Sequence, residues 1–246
     1  MLRSVRRTGF APRAASVADA GTLLRRAALD GLGTLFLLAV VVGSGIMAER
    51  LSGGSAALAL LGNSLATGAG LVALILAFGH LSGAQFNPAV TVTAAFLGAR
   101  PWREVPAYVI AQMLGAVAGV AIAHGMFGEP VFTVASHARP GPGQVLAEFV
   151  ATFGLLAVVF FASRRGPTGL AVAVGAYIAS AYWFTSSTSF ANPAVTVART
   201  LTNTFTGIRP SDAPGFIVGE TLGTIAFVLL AVRLTPEVPA ERRDDA

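Results

Sequence analysis

The chain has 246 residues, of which 54% are hydrophobic and 12% are charged. Soluble globular domains carry about 25% charged residues, so the composition excludes that class and indicates an integral membrane protein. No cysteine is present, which excludes disulfides and thiolate metal sites.

Six apolar segments follow one another along the chain, and each is long enough to cross a bilayer, which takes about 20 residues as a helix. They cover residues 29–48, 57–79, 105–127, 145–163, 168–184 and 214–233. The polar segment 128–144 is predicted to be a linker inside one domain, which spans residues 28–235. Residues 1–27 are predicted to be a disordered cytoplasmic tail, and residues 236–246 a second cytoplasmic tail.

The basic residues indicate a topology rather than a nucleic-acid partner, although the net charge is +5. All 17 are arginines. With six spans, all but Arg50, Arg139, Arg199 and Arg209 fall on one side of the membrane. This positive-inside bias predicts a multi-pass protein of the bacterial inner membrane with both termini in the cytoplasm.

The hexapeptide Asn-Pro-Ala-Val-Thr-Val occurs twice, at residues 87–92 and 192–197. Further matches extend this internal repeat, with repeat one at about residues 28–127 and repeat two at about 145–235. Each repeat holds three spans, an odd number, so the two repeats must have opposite orientations. Inverted repeats place a substrate site near the bilayer midplane, at their interface.

Each Asn-Pro pair opens an apolar stretch that is too short to cross, at residues 89–97 and 194–201. Asn is a favoured N-cap and Pro suits the first helical position, so each stretch is predicted to be a re-entrant half-helix. The two helices would meet at their N-termini, which carry about half a positive charge each. That arrangement repels cations and offers hydrogen-bond donors, as expected for a pore that conducts small uncharged solutes.

These motifs resemble the aquaporin, or major intrinsic protein, family. The resemblance covers about residues 28–233 and includes the paired Asn-Pro-Ala motifs and the segment Gly79–Ala84. It implies an all-α membrane fold of six transmembrane helices and two half-helices with an inverted repeat, and a homotetramer with one pore per subunit. The implied pore motifs are Asn87, Pro88, Ala89, Asn192, Pro193 and Ala194.

Carboxylates inside apolar spans are costly and indicate a function. For Asp30 and Glu148 the alternatives are ion coordination and a structural role, in which they accept N–H groups of the re-entrant loops. We expect the structural role. Loop support is also expected from Gln112, Glu220 and His80, and no metal or other cofactor is predicted. The family has Glu at the positions of both Asp30 and Glu148, so Asp30 departs from the family pattern.

The family resemblance places the selectivity filter at Thr67, Ser180, Ser189 and Val195. Water-selective members have an Arg at the last position, where this chain has Val195; whether Arg199 contributes is left open. The inferred filter is wide, with three hydroxyl groups and no aromatic or charged side chain. It resembles that of bacterial aquaglyceroporins associated with arsenic resistance.

The function predicted from the sequence is therefore a passive channel for glycerol, some water and undissociated metalloid acids such as arsenite. A water-selective pore is the alternative within the channel class. A structural membrane tetramer with a closed pore is a weaker alternative, and no catalytic motif favours an enzyme.

Overall fold

The computed structural model describes residues 20–234, so the predictions for the two tails lie outside the described residues, apart from the last part of the first tail. Within this range the chain forms eight α-helices and three short 3₁₀ turns. The helices are α1 (Ala20–Leu51), α2 (Ala56–Ser82), α3 (Pro88–Phe96), α4 (Val105–Phe127), α5 (Pro142–Ala162), α6 (Gly166–Phe184), α7 (Pro193–Ala198) and α8 (Ala213–Leu234).

Five segments of the described chain are long and apolar enough to cross a membrane. The segment Pro142–Phe184 contains two of the helices, α5 and α6, because the 3₁₀ turn Ser163–Arg165 separates them. The six predicted spans therefore correspond to six long helices. Helix α1 begins at Ala20, so the prediction of a disordered tail is wrong for residues 20–27, which extend the first span as a helix. Helix α5 begins at Pro142, so the linker ends three residues sooner than the sequence suggested.

The helices pack as two equivalent sets, in agreement with the predicted inverted repeat. In the first set α1 packs against α2 and α4, and in the second set α5 packs against α6 and α8. Helices α2 and α6 then join the two sets. The main hydrophobic core draws on both repeats, for example Leu38 and Val120 from the first and Leu155 and Phe216 from the second.

Glycines allow the paired helices to approach closely, as expected for small residues between membrane helices. A Cβ added at Gly115 of α4 would lie 2.1 Å from the carbonyl oxygen of Gly31 in α1. At the equivalent crossing of α8 with α5, a Cβ at Gly223 would lie 2.6 Å from the carbonyl oxygen of Phe149. Both crossings therefore depend on the absence of a side chain.

The half-helices α3 and α7 begin where the two hexapeptides predict. Asn87 and Asn192 are the N-caps, both with extended backbone, and Pro88 and Pro193 are the first helical residues. Their fixed φ and missing N–H suit that position. Helix α7 is shorter than the predicted apolar stretch because the chain tightens into the 3₁₀ turn Arg199–Leu201.

Candidate functional site

The N-termini of α3 and α7 face each other at the centre of the molecule. The Asn87 side-chain amide donates to the carbonyl oxygen of Ala191 at 2.7 Å, and that of Asn192 donates to the carbonyl oxygen of Phe86 at 2.8 Å. Each side-chain oxygen also accepts the N–H of the second helical residue, Ala89 or Ala194, at 2.8 and 3.0 Å. The two Asn-Pro elements, far apart in sequence, thus form one structural unit.

Asp30 of α1 holds the loop that precedes α3. Its fully buried carboxylate accepts the N–H groups of Gln85 at 2.9 Å and Phe86 at 3.0 Å. It also accepts the Ser82 hydroxyl and the Gln112 side-chain amide, each at 2.8 Å. The four bonds supply the partners that a buried carboxylate requires.

Two carboxylates hold the loop that precedes α7. Glu148 of α5 accepts the N–H groups of Phe190 at 2.9 Å and Ala191 at 2.7 Å. Glu220 of α8 accepts the N–H of Asn192 at 3.1 Å and the Thr196 hydroxyl at 2.6 Å. Glu220 therefore contacts the loop directly, whereas Gln112, its counterpart in repeat one, bonds to Asp30 and to Thr91 of α3.

The loops adopt an uncommon backbone that these bonds stabilise. The five non-glycine residues with positive φ among residues 20–234 all lie here: Ala84, Phe86, Thr188, Ser189 and Ala191. In a trans peptide the N–H and C=O groups point in opposite directions. Because the loop N–H groups point to the carboxylates, the carbonyl oxygens of the preceding residues point away from them. Of those residues, Ala84, Gln85, Ser189 and Phe190 line the cavity described next.

A cavity of about 460 Å³ runs past the meeting point of the half-helices. Asn87 and Asn192 both line it. At one end, here called the α2 end, its lining includes Gly79, Gly83 and Arg100. At the other, the linker end, it includes Tyr182, Ser189 and Arg199. Much of the remaining wall is aliphatic, so a minority of polar groups lines an otherwise apolar passage.

Comparison with known proteins agrees with this geometry. The family model described as Major intrinsic protein matches residues 18–170, more than half of the chain. The chain belongs to the major intrinsic protein family. It is 50% identical to "Aquaglyceroporin AqpS" of Rhizobium meliloti (strain 1021) over 222 residues, which are 90% of this chain and 95% of that protein.

Two further proteins are more distantly similar to this chain. "Aquaporin NIP1-3" of Oryza sativa subsp. japonica is 33% identical over 207 residues, 81% of this chain and 71% of that protein. The X-ray structure of the aquaglyceroporin from Plasmodium falciparum has a TM-score of 0.69 at 22% identity, covering 85% of this chain and 95% of that one. This structural likeness establishes the fold.

Three of the four filter residues predicted from the family resemblance line the cavity: Thr67, Ser189 and Val195. Ser180 does not, and its prediction is corrected. It is exposed, and its hydroxyl donates to the carbonyl oxygen of Tyr177 in its own helix at 2.8 Å. Tyr182 lines the cavity instead, with its hydroxyl 3.3 Å from that of Thr67.

The helical period explains this correction. Val174, Ile178 and Tyr182 are four residues apart and line the cavity from one face of α6. Ser180 lies on a different face. The i, i+4 spacing of Val174, Ile178 and Tyr182 in the sequence therefore carries a signal for Tyr182 that the family resemblance does not.

The linker end of the cavity also holds aromatic and charged residues, which the predicted filter lacked. Besides Tyr182, the wall includes the side chains of Phe190 and Arg199. Arg199 is 2% exposed, and its guanidinium carbon lies 3.4 Å from the centroid of the Phe190 ring. The linker end of the cavity therefore carries a positive charge that the predicted filter lacked.

The predicted loop-supporting role of His80 is not found. His80 lies in the last turn of α2, is exposed, and makes no hydrogen bond within residues 20–234. The loop is instead attached at this end by Tyr108, whose hydroxyl donates to the carbonyl oxygen of Ser82 at 2.9 Å. The buried His124 has a separate role, since its ring nitrogens contact Pro130 and Thr202.

The linker contributes a second arginine near the linker end. Arg139 donates to the carbonyl oxygens of Gly207 at 3.0 Å and Ser187 at 3.2 Å. Burial lowers the pKa of Arg139 to about 10, so it stays protonated at neutral pH. Burial, followed by repulsion from Arg139 and Arg199, also lowers the pKa of His137, which favours its neutral form.

Proposed function

We propose that this protein is a passive channel for small uncharged solutes. The observation that carries the proposal is the pair of facing half-helix N-termini inside a cavity that Asn87 and Asn192 both line. Helix N-termini repel cations, and the Asn amides and loop carbonyls replace the hydrogen bonds that a neutral solute leaves behind in water. The relative with 50% identity is named an aquaglyceroporin, which supports the same function.

We further propose that the solutes are glycerol and undissociated metalloid acids such as As(OH)₃, together with some water. Thr67, Tyr182 and Ser189 offer hydroxyl groups along the cavity wall, and Val195 provides an apolar surface beside them. Polyhydroxylated neutral molecules match such a wall, because their hydroxyl groups and their apolar sides both find partners. The proposed assembly is a homotetramer in the bacterial inner membrane.

Proteoliposomes with the purified protein test the function by stopped-flow light scattering with water, glycerol, urea and arsenite. We expect solute-dependent volume changes with a low activation energy for water, glycerol and arsenite. Empty liposomes give the background permeability. In a separate measurement on the purified protein, static light scattering with refractive-index detection gives the oligomeric state. Rapid water flow with glycerol and arsenite both excluded would favour the water-selective alternative. No flux of any solute would favour a closed structural tetramer.

A further inference from the structure

The position of Arg199 bears on the role that the sequence left open for this residue. It begins the 3₁₀ turn after α7, four residues beyond Val195. Its side chain lines the cavity, and its guanidinium stacks on Phe190. Its Nε donates to the carbonyl oxygen of Thr206, which fixes the inner part of the guanidinium.

The outer part of the same guanidinium has no protein partner. Among residues 20–234, no hydrogen bond involves Nη1 or Nη2 of Arg199, and no carboxylate lies within ion-pair distance. A buried charge without a counterion is strongly unfavourable unless water or a solute reaches it. The cavity is the space from which such contact is available, so the free donors point to the permeating molecules.

The surrounding residues hold this arrangement in place. The Arg199 carbonyl oxygen accepts the N–H of Ile208 at 3.2 Å, which fixes the 3₁₀ turn. Phe190 supplies the stacking surface, and its own N–H is bound to Glu148 at 2.9 Å. Arg139 holds the preceding loop through the Ser187 carbonyl oxygen. The guanidinium of Arg199 is thus positioned by contacts from the loop, the linker side and the turn.

We propose that Arg199 is a specificity-determining residue at the linker end of the cavity, where it supplies the fixed positive charge and the hydrogen-bond donors that residue 195 lacks. The inference rests on the proposed channel function and refines its selectivity. The charge repels protons and other cations before they reach the half-helix ends. The two free Nη groups donate to the oxygen atoms of neutral hydroxylated solutes.

The test uses the full-length protein in proteoliposomes with an entrapped pH dye, and a potassium diffusion potential drives proton entry. Arg199→Gln removes the charge and Arg199→Lys keeps it, while Arg209→Gln removes an exposed arginine that pairs with Asp212. A unit charge within about 10 Å, at an effective dielectric constant of about 20, changes an ion's rate about tenfold or more. We therefore expect proton leak to rise at least about tenfold in R199Q and to stay near the wild-type value in R199K and R209Q.

Glycerol and water fluxes are measured on the same vesicles, and the glycerol-to-water ratio is expected to change in R199Q but not in R209Q. A proton leak and a flux ratio in R199Q equal to those of the wild type would overturn the inference. If every Arg199 variant failed to fold while R209Q folded, the side chain would be a structural brace, and the inference would also fail. Absence of glycerol flux in the wild type would instead reject the proposed function itself.

Discussion

Asp30 and Glu148 occupy equivalent positions in the two repeats, yet they hold their loops with different neighbours. The carboxylate of the shorter Asp30 also accepts hydrogen bonds from Ser82 and Gln112, in addition to those from the loop. In the second repeat Glu220 is the additional partner of the loop and bonds to Asn192 directly. One methylene group less in Asp30 is thus accompanied by a different hydrogen-bond network around the loop.

Removal of the Asp30 carboxylate is expected to destabilise the protein strongly. Asp30→Ala leaves the buried N–H of Phe86 and the part-buried N–H of Gln85 without their acceptor, at a cost of about 3 kcal/mol or more. Asp30→Glu keeps a carboxylate and serves as the matched control. Thermal unfolding of the detergent-solubilised protein gives the comparison. Equal melting temperatures for the two variants would contradict the loop-supporting role.

Val195 allows a second prediction at the residue scale. Val195→Arg places a long charged side chain in the cavity wall beside Arg199, so the passage narrows. Glycerol and arsenite uptake are expected to fall roughly tenfold, the scale of discrimination that small steric changes produce in a pocket, while water flux falls less. Stopped-flow measurements on proteoliposomes check this. Equal loss of all three fluxes would indicate misfolding or a filter located elsewhere.

At the scale of elements, the two glycine crossings determine how closely the helices of each repeat approach. The crossing partners are α1 with α4 and α5 with α8, which correspond to each other under the inverted repeat. In both cases a Cβ added to the glycine would lie within 2.6 Å of a backbone carbonyl oxygen. Such contacts let dispersion forces act between backbones, which matters in lipid because the hydrophobic effect does not drive helices together there.

Gly115→Ala is expected to disrupt the first crossing. The new Cβ would lie 2.1 Å from a backbone oxygen, so the helices must separate, at a cost of about 1–3 kcal/mol. Gly125→Ala in the same helix is the control, since nothing lies within 4 Å of its added Cβ. Melting temperatures should fall for G115A and stay level or rise for G125A. Similar values for the two variants would argue against close backbone packing.

The linker gives a pH-dependent prediction. Burial and the nearby arginines lower the pKa of His137 below its ordinary value of 6.5. The unfolded chain therefore binds the proton more readily, and this contribution to stability is present above pH 6.5 and lost as the pH falls through the lowered pKa. His137→Gln should unfold with less pH dependence between pH 8 and pH 5. If the pH dependence of unfolding were unchanged in this variant, burial and the two arginines would not shift the protonation of His137.

At the scale of the whole molecule, the inverted repeat and the positive-inside bias together define a topology. Because three spans separate equivalent points of the two repeats, α3 and α7 approach the midplane from opposite sides. The shared core then brings both half-helices into one cavity. The side of the membrane on which each end lies follows from the arginine distribution, which predicts that the linker faces the periplasm.

The absence of cysteine makes this topology directly testable. Arg103→Cys and Ala138→Cys each introduce one thiol at an exposed position, before α4 and in the linker respectively. A membrane-impermeant maleimide should label A138C in intact cells and R103C only after the inner membrane is permeabilised. The reverse pattern would place the termini in the periplasm and invert the proposed orientation.

Local sequence determined the helices and both half-helix starts, because span length, Asn capping and the fixed φ of proline act over a few neighbouring residues. The exact duplication also revealed the inverted repeat, since an odd number of spans leaves no other orientation. The local sequence also marked Asp30 and Glu148 as important residues, because charged groups are costly inside apolar segments.

The tertiary structure alone decided which side chains face the cavity. Packing of α6 against α2 and α5 sets its rotation, which turns Tyr182 inward and Ser180 outward. Likewise, the tightening of α7 into a 3₁₀ turn brings Arg199 onto Phe190, although Arg199 lies four residues beyond the expected filter position. Helix rotation and turn geometry depend on contacts between distant segments. The i, i+4 spacing of Val174, Ile178 and Tyr182 marks one face of α6 in the sequence, but only packing decides that this face meets the cavity.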